Sequence, residues 1–143
     1  MAERCVQLAD AARHTLVDAA LADYPAECCG VLLGYFQDGR VDVHHAVPIR
    51  NAVTEGRGYR FELEINALLA ASRQARAAGM DIVGFYHSHP DDVAQPSQTD
   101  LHESNPWPGY CYLIASVMRA QLQALTAWQR FGDTWVENTL EEN

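Results

Sequence analysis

The segment from Asp81 to Asp100 constrains the fold of this chain more than any other. Its first half, DIVGFYHSH, is a run of β-branched and aromatic residues typical of a buried strand, and Pro90 predicts the end of that strand. A second proline precedes SQTDLHES, in which Ser97 and Asp100 have the spacing of a helix capping box. We therefore expect a buried strand, a short loop and a helix that begins at Ser97.

Two histidines stand at the end of this strand. Because strand side chains alternate between faces, His87 and His89 point the same way with Cα atoms about 6.6 Å apart, whereas Ser88 points to the opposite face. A helix beginning at Ser97 would bring Asp100 back beside the strand end. Two imidazoles and a carboxylate would then meet and leave a fourth tetrahedral position open, as catalytic zinc sites do. From the residues alone, a solvent-facing histidine pair and an ordinary helix cap remain open as alternatives.

Two segments have helical periodicity. The first covers about residues 10 to 24, with Asp10 as a candidate N-cap and Pro25 as its stop. The second covers Glu64 to Ala78, followed by a glycine at position 79. One face of the second helix is expected to carry Ile65, Leu68, Leu69, Ser72 and Ala75.

Runs of β-branched and aromatic residues predict the strands. A short strand lies around Val6 to Leu8, and CGVLLGYF and RVDVHHAVPI flank an Asp-Gly turn, which predicts an antiparallel hairpin. Residues 51 to 58 are expected to form a loop ahead of a short strand at Tyr59 to Phe61. Three later strand candidates are YCYLIASV, QLQALTAWQRF and TWVENTL. The fold class is therefore α/β (α+β), with a mixed β-sheet flanked by helices in one domain over residues 1–143.

Composition excludes several kinds of partner. The chain is 48% hydrophobic, carries a net charge of −9 and contains no lysine, so we expect no nucleic-acid partner. No run approaches the ~20 apolar residues of a membrane span, and no signal peptide is evident. The four cysteines form no C-x-x-C pair and are expected to be reduced thiols in a cytoplasmic protein.

A glutamate far upstream completes a known pattern. Glu27, then HSHP, seven residues from Pro90 to Pro96 and S-x-x-D resemble the JAMM signature of the MPN-domain (JAB-domain) zinc metalloproteases. The resemblance includes P-x-E-x-C-G-x-L-x-G from Pro25 to Gly34 and covers at least residues 21 to 117. It implies a curved mixed sheet sandwiched by helices, related to the cytidine deaminase architecture.

The resemblance also assigns roles to individual residues. It implies that His87, His89 and Asp100 bind one Zn²⁺ per chain. It further implies that Glu27 holds the catalytic water and shuttles its proton, while Ser97 hydrogen-bonds the oxyanion. Ser88 is expected to pack behind the site or to support its ligands.

The resemblance narrows the substrate as well. Nine residues separate Asp100 from Tyr110, so the chain is similar to the compact stand-alone members of bacteria and archaea, including the branch that releases cysteine from a sulfur carrier. The implied partner is a ubiquitin-like β-grasp protein, cut after its C-terminal Gly-Gly. Asn51 and Trp107 are candidate walls of a channel for this tail. The sequence does not indicate an oligomeric state.

Three alternatives differ from this interpretation. A non-catalytic MPN scaffold or protein-binding module would be expected to have a broken ligand set, and all the signature positions are filled here. Zinc nucleoside deaminases need H-x-E and P-C-x-x-C motifs, which are absent. A RadC-type domain has a similar histidine block, but the segment around Glu27 favours the peptidase branch. The other histidines and Cys28 and Cys29 are expected to lie outside the site.

Overall fold

The computed structural model describes residues 4–51, 64–103 and 109–142, with the side chains of residues 102 and 103 left out. Its strands and helices follow the order that the sequence predicts. The strands are β1 (Cys5–Leu8), β2 (Cys29–Gln37), β3 (Arg40–Ile49), β4 (Asp81–Pro90), β5 (Cys111–Met118), β6 (Gln121–Phe131) and β7 (Thr134–Glu142). The helices are α1 (Asp10–Asp23), α2 (Ile65–Ala77) and α3 (Gln98–Glu103).

The seven strands form one mixed sheet that closes on itself in the order β1-β3-β2-β4-β5-β6-β7. Strand β1 runs parallel to both β3 and β7, and β4 runs parallel to β5. The remaining pairs are antiparallel, including the predicted β2–β3 hairpin. The mixed sheet expected from the sequence is confirmed, and its curvature is strong enough for β1 to join the two ends.

Two helices pack against different hydrophobic clusters of the sheet. Helix α1 buries Leu16 in a cluster that includes Tyr86, whereas α2 buries Ala71 in a cluster that includes Phe85. Since neighbouring strand residues face opposite sides, Phe85 and Tyr86 place the two helices on opposite faces of β4. The expected arrangement of a sheet between helices is therefore confirmed.

The N-cap assigned to Asp10 is wrong. Asp10 is the first helical residue, and Ala9 holds the cap position without a side-chain cap bond. The backbone N–H of Ala9 donates to the Val43 carbonyl at 3.0 Å, which keeps the chain extended up to that residue. The helix therefore starts directly after this backbone hydrogen bond to β3.

The buried face predicted for α2 is also partly wrong. Ala75 is buried as expected, together with Ala71, but Ile65 and Leu69 are 61% and 48% exposed. A helix that meets a sheet through alanines can approach it closely, and larger side chains then lie at the margin of the contact. The helix begins after Glu64, whose carboxylate accepts from two backbone N–H groups of the first turn.

Three expectations fall outside the described residues, namely the loop that follows Asn51, the short strand at Tyr59 to Phe61 and the position of Trp107. Among the residues that are described, no helix has the length and hydropathy needed to cross a membrane. The four cysteines are all free thiols, as predicted.

A glycine test probes the close packing of the site strand. A Cβ on Gly84 would lie 2.0 Å from the Cys111 carbonyl oxygen on the neighbouring strand, so the backbone itself would have to move. We expect Gly84→Ala to lower the free energy of unfolding by about 3 kcal/mol. Gly79→Ala, where nothing lies within 4 Å of the added Cβ but φ is +71°, should cost about 1 kcal/mol. Urea denaturation checks this order, and equal losses would contradict the described strand packing.

Candidate active site

Four ionisable side chains meet in the interior of the protein. Glu27 precedes β2, His87 and His89 lie on β4, and Asp100 lies in α3. One ligand atom from each of the four lies within 4.8 Å of the others. All four residues are buried, with at most 7% of their surface exposed. The structure thus brings together the four residues that the sequence singled out.

Strand β4 presents the two imidazoles. His87 pairs with Cys29 on β2 and with Ile114 on β5, and His89 pairs with Ser116 on β5. Their side chains share a face, and the two Nε2 atoms lie 3.0 Å apart. Strand partners on both sides of His87 therefore fix the backbone from which its ring projects.

The predicted capping box is present, and it delivers the carboxylate. Ser97 Oγ accepts from the Asp100 backbone N–H at 3.0 Å, and the Ser97 backbone N–H donates to Asp100 Oδ2 at 2.8 Å. Asp100 Oδ1 lies 3.1 Å from His87 Nε2, and Oδ2 lies 2.9 Å from His89 Nε2. The helix cap and the convergence on the histidines are therefore one arrangement.

The tautomer of His89 follows from its other nitrogen. Nδ1 lies 2.8 Å from the Val93 carbonyl oxygen, which can only accept, so Nδ1 carries the proton and donates. In the neutral ring, Nε2 then carries a lone pair that faces Asp100 Oδ2. His89 Nε2 and Asp100 Oδ2 would then be two acceptors 2.9 Å apart, which requires a cation between them or a second proton on the imidazole ring. Metal-bound histidines commonly donate their other ring N–H in this way, to a backbone carbonyl, a carboxylate or water.

Burial and mutual charges shift the pKa values of Asp100, His87 and His89 in different directions. Burial alone would raise the pKa of Asp100, but the two imidazoles outweigh it and hold this pKa well below its usual value. Burial lowers the pKa of His87 by more than Asp100 raises it. For His89, burial acts in the same direction, yet hydrogen bonds to Asp100 and Val93 and the Asp100 charge raise its pKa overall. An ionised carboxylate beside a neutral His87 matches what metal ligation requires.

Hydrogen bonds with two neighbouring segments hold the backbone around Glu27, one with Asn51 after β3 and one with Ser88 on β4. The Asn51 side-chain amide donates to the Glu27 carbonyl at 3.2 Å. One residue further, the Cys28 N–H donates to Ser88 Oγ at 2.8 Å, and the Ser88 N–H returns a bond to the Cys28 carbonyl. Ser88 thus lies on the face of β4 opposite the histidines, fully buried, and links the strand of the histidines to the segment of the glutamate.

Some contacts of the site were not predicted from the sequence. The amide of Asn51, our candidate for a channel wall, also donates to the Glu27 carbonyl. The loop between β4 and α3 is bound by Ser116 and Thr126, which donate to the carbonyls of Asp92 and Ala94. No local signal marks these three residues, because their contacts join segments 24 to 32 positions apart.

The cysteines and the exposed histidines lie outside the group. Burial raises the pKa of Cys28 to about 11 and that of Cys29 to about 12, which keeps both as thiols at neutral pH. His44 and His45 are exposed on β3, and His14 is exposed on α1. Among the described residues, the group that can hold a metal contains none of these side chains.

The donor atoms fit a single metal ion. Zinc bonds of about 2.0–2.1 Å in a tetrahedron place neighbouring ligand atoms about 3.3 Å apart. The two Nε2 atoms and the Asp100 oxygens lie 2.9 to 3.1 Å from one another, close to that spacing. Two nitrogen ligands and one oxygen ligand can therefore share one ion, with Glu27 beside it.

Comparison with known proteins gives consistent matches. The family model described as prokaryotic homologs of the JAB domain matches residues 9–131. A desampylase of Haloferax volcanii is 41% identical over 99 residues, which cover 69% of this chain and 68% of that protein. A CysO-cysteine peptidase of Mycobacterium tuberculosis is 37% identical over 93 residues, which cover 62% of this chain and 61% of that protein, under two thirds of its length.

A solved structure agrees with the fold. The crystal structure of a JAB1/MPN domain protein from Archaeoglobus fulgidus superposes with a TM-score of 0.58 at 19% identity. The superposition covers 96% of each chain. This likeness bears on the architecture, namely a mixed sheet flanked by helices.

Removal of the Ser88 hydroxyl tests the support behind the site. Ser88→Ala leaves the buried Cys28 N–H without its side-chain acceptor, so we expect the free energy of unfolding to fall by about 1–3 kcal/mol. Urea denaturation measures this loss. Thr15→Val, which removes an exposed hydroxyl bonded to a helix carbonyl, is the control and should change it by less than about 0.5 kcal/mol. A Ser88→Ala protein as stable as the control would show that this bond contributes nothing.

Proposed function

Because the chain belongs to the family of prokaryotic JAB-domain homologues and is a JAMM-type peptidase, we propose that it is a zinc-dependent enzyme that cuts after the C-terminal Gly-Gly of a ubiquitin-like β-grasp protein. The observation that carries the proposal is the convergence of buried Glu27 on two histidines and an aspartate. A non-catalytic scaffold would have no need of this complete and costly polar group.

The metal would be held by His87 Nε2, His89 Nε2 and the Asp100 carboxylate, one ion per chain. These are the nitrogen and oxygen ligands that zinc accepts, in a set that leaves a fourth position open. When bound, Zn²⁺ would polarise the scissile carbonyl and lower the pKa of a water molecule toward about 7.

Glu27 is proposed as the proton carrier of the reaction. Its carboxylate takes a proton from the attacking water, whose oxygen bonds to the carbonyl carbon. The C–N bond then breaks, and Glu27 gives the proton to the leaving amine. Glu27 is 2% exposed, and one of its carboxylate oxygens lies within 4.8 Å of the proposed ligand atoms.

Ser97 is proposed to stabilise the oxyanion. Its Oγ accepts from the Asp100 N–H, so the hydroxyl hydrogen remains available to donate to a negatively charged oxygen. The cap and the proposed catalytic contact thus use different parts of the same hydroxyl group.

The substrate proposal is supported by the named relatives. One relative is named for a CysO-cysteine substrate and another is named a desampylase. A Gly-Gly tail has no side chains and can pass a narrow opening to a buried site. Asn51 and Trp107 remain our candidates for the walls of that opening, and release of cysteine or another C-terminal extension is the proposed outcome.

Metal content tests the ligand set. The purified protein should hold about one zinc per chain, measured by inductively coupled plasma mass spectrometry. His87→Ala and Asp100→Ala should each lose most of it, because two ligands hold zinc far less tightly than three. His44→Ala, on an exposed strand position, is the control and should keep the metal. Unchanged zinc in both ligand variants would refute the assignment.

Glu27→Gln separates metal binding from catalysis. This change keeps the shape of the side chain but removes the proton acceptor, so zinc content should stay near one while kcat falls by at least about 10³-fold. The decrease is followed on a β-grasp protein that carries a short extension after its Gly-Gly, with products identified by mass spectrometry. A Glu27→Gln enzyme with wild-type kcat would show that another group carries the proton.

Cleavage position tests the substrate class. The wild-type enzyme should release the extension after the second glycine and leave the β-grasp body intact. A matched substrate with Val-Val in place of Gly-Gly should be cut at least about tenfold more slowly, since branched side chains would block a narrow channel. Equal rates, or cuts within the folded body, would contradict the proposal.

A further inference from the structure

We propose that Thr126 on β6 is a positioning residue for Asp100. It holds the loop that precedes Asp100 by a hydrogen bond to the carbonyl of Ala94. The inference rests on the proposed function, because it concerns how the metal ligand is delivered. It adds a residue that lies outside the signature segment, on a different strand.

The sheet register places Thr126 on the face of the histidines. His87 on β4 pairs with Ile114 on β5, which pairs with Thr126 on β6. Paired residues of neighbouring strands share a face, so Thr126 and His87 lie in one row, about 10 Å apart across two strand spacings. The loop from Asp91 to Ser97 connects β4 to α3, and Thr126 Oγ1 donates to its Ala94 carbonyl at 2.7 Å.

A second β6 side chain orients the Thr126 hydroxyl. Trp128 Nε1 donates to Thr126 Oγ1 at 2.8 Å. A hydroxyl group has one hydrogen, and because the indole occupies a lone pair, that hydrogen is directed to the Ala94 carbonyl. The pair therefore forms a chain of hydrogen bonds with one direction, from Trp128 through Thr126 to the loop.

A third β6 side chain holds the other side of Asp100. Arg130 Nη1 donates to the Leu101 carbonyl at 3.0 Å. Positions 126, 128 and 130 alternate along the strand and so share one face. Strand β6 thus holds the chain both before Asp100, at Ala94, and after it, at Leu101.

The hydrogen bond to the Ala94 carbonyl is the last one that holds the loop before the helix cap at Ser97, among the bonds that the structure describes. The two preceding carbonyls are bound by Ser116, which donates to Asp92, and by His89, which donates to Val93. The next fixed point is the cap at Ser97. Removal of the Thr126 hydroxyl leaves the backbone hydrogen bonds of the sheet in place. It frees the segment between Ala94 and the cap at Ser97. The main effect should therefore be on the placement of the Asp100 carboxylate.

The test compares Thr126→Val, Thr126→Ser and the control Thr15→Val, which also removes a hydroxyl bonded to a backbone carbonyl. Zinc affinity is measured by competition with a chromophoric chelator. We expect Thr126→Val to weaken it about tenfold, in the range reported for lost supporting bonds around metal ligands. Thr126→Ser, which keeps the hydroxyl, should lie within about twofold of the wild type, as should Thr15→Val.

A second readout does not depend on the metal. Amide hydrogen exchange of Asp100 and Leu101 in the metal-free protein should be faster in Thr126→Val than in Thr126→Ser or Thr15→Val. If Thr126→Val does not fold, Trp128→Phe replaces it, with a smaller increase in exchange expected. A wild type without zinc affinity would refute the proposed function, while exchange would still decide the role of Thr126. Wild-type exchange and wild-type zinc affinity in the Thr126→Val or Trp128→Phe protein would overturn the inference.

Discussion

The side chains of His87, His89 and Asp100 meet in the interior of the protein. The two Nε2 atoms lie 3.0 Å apart, and each lies 2.9 to 3.1 Å from an oxygen of the Asp100 carboxylate. An ionised carboxylate in such a place is costly unless a positive charge or several hydrogen-bond donors compensate it. Asp100 receives one backbone N–H from Ser97 and faces two ring nitrogens. Much of the polar structure around the site serves to hold these three groups in that geometry.

The strands and the loop contribute differently to this task. His87 lies between β2 and β5, so the sheet fixes it through partners on both sides. Asp100 comes from a six-residue helix whose position depends on the loop before it. Side chains of β4, β5 and β6 bind three consecutive carbonyls of that loop. A proposed metal ligand on a short helix is thereby held by the sheet, which is what a precise site requires.

Sequence could predict those residues of the site that belong to a short-range pattern, such as strand alternation or a capping box. The shared face of His87 and His89 follows from the period of a strand, and the position of Asp100 follows from the capping box at Ser97. Glu27 is different, because spacing alone could not place it near the histidines, and only the resemblance connected the two segments. The bonds from Asn51 and Thr126 depend on strand register across the sheet, which no local pattern specifies.

The fold shows the same limit. The order of strands and helices follows from hydrophobic periodicity, whereas sheet closure depends on the pairing of β1 with two distant strands. In α2, periodicity does not indicate how near the helix lies to the sheet. The exposure of Ile65 and Leu69 was therefore missed. For Asp10, a bond from Ala9 to β3 moved the helix start by one residue.

Anomalous diffraction at the zinc edge, from crystals of the zinc-loaded protein, tests the central claim most directly. The account predicts one strong peak about 2.0–2.1 Å from His87 Nε2, His89 Nε2 and an Asp100 carboxylate oxygen, with Glu27 close by but not bonded to the metal. A peak that lacks one of these three ligands, a peak with Glu27 among its ligands, or no peak at this position would contradict it.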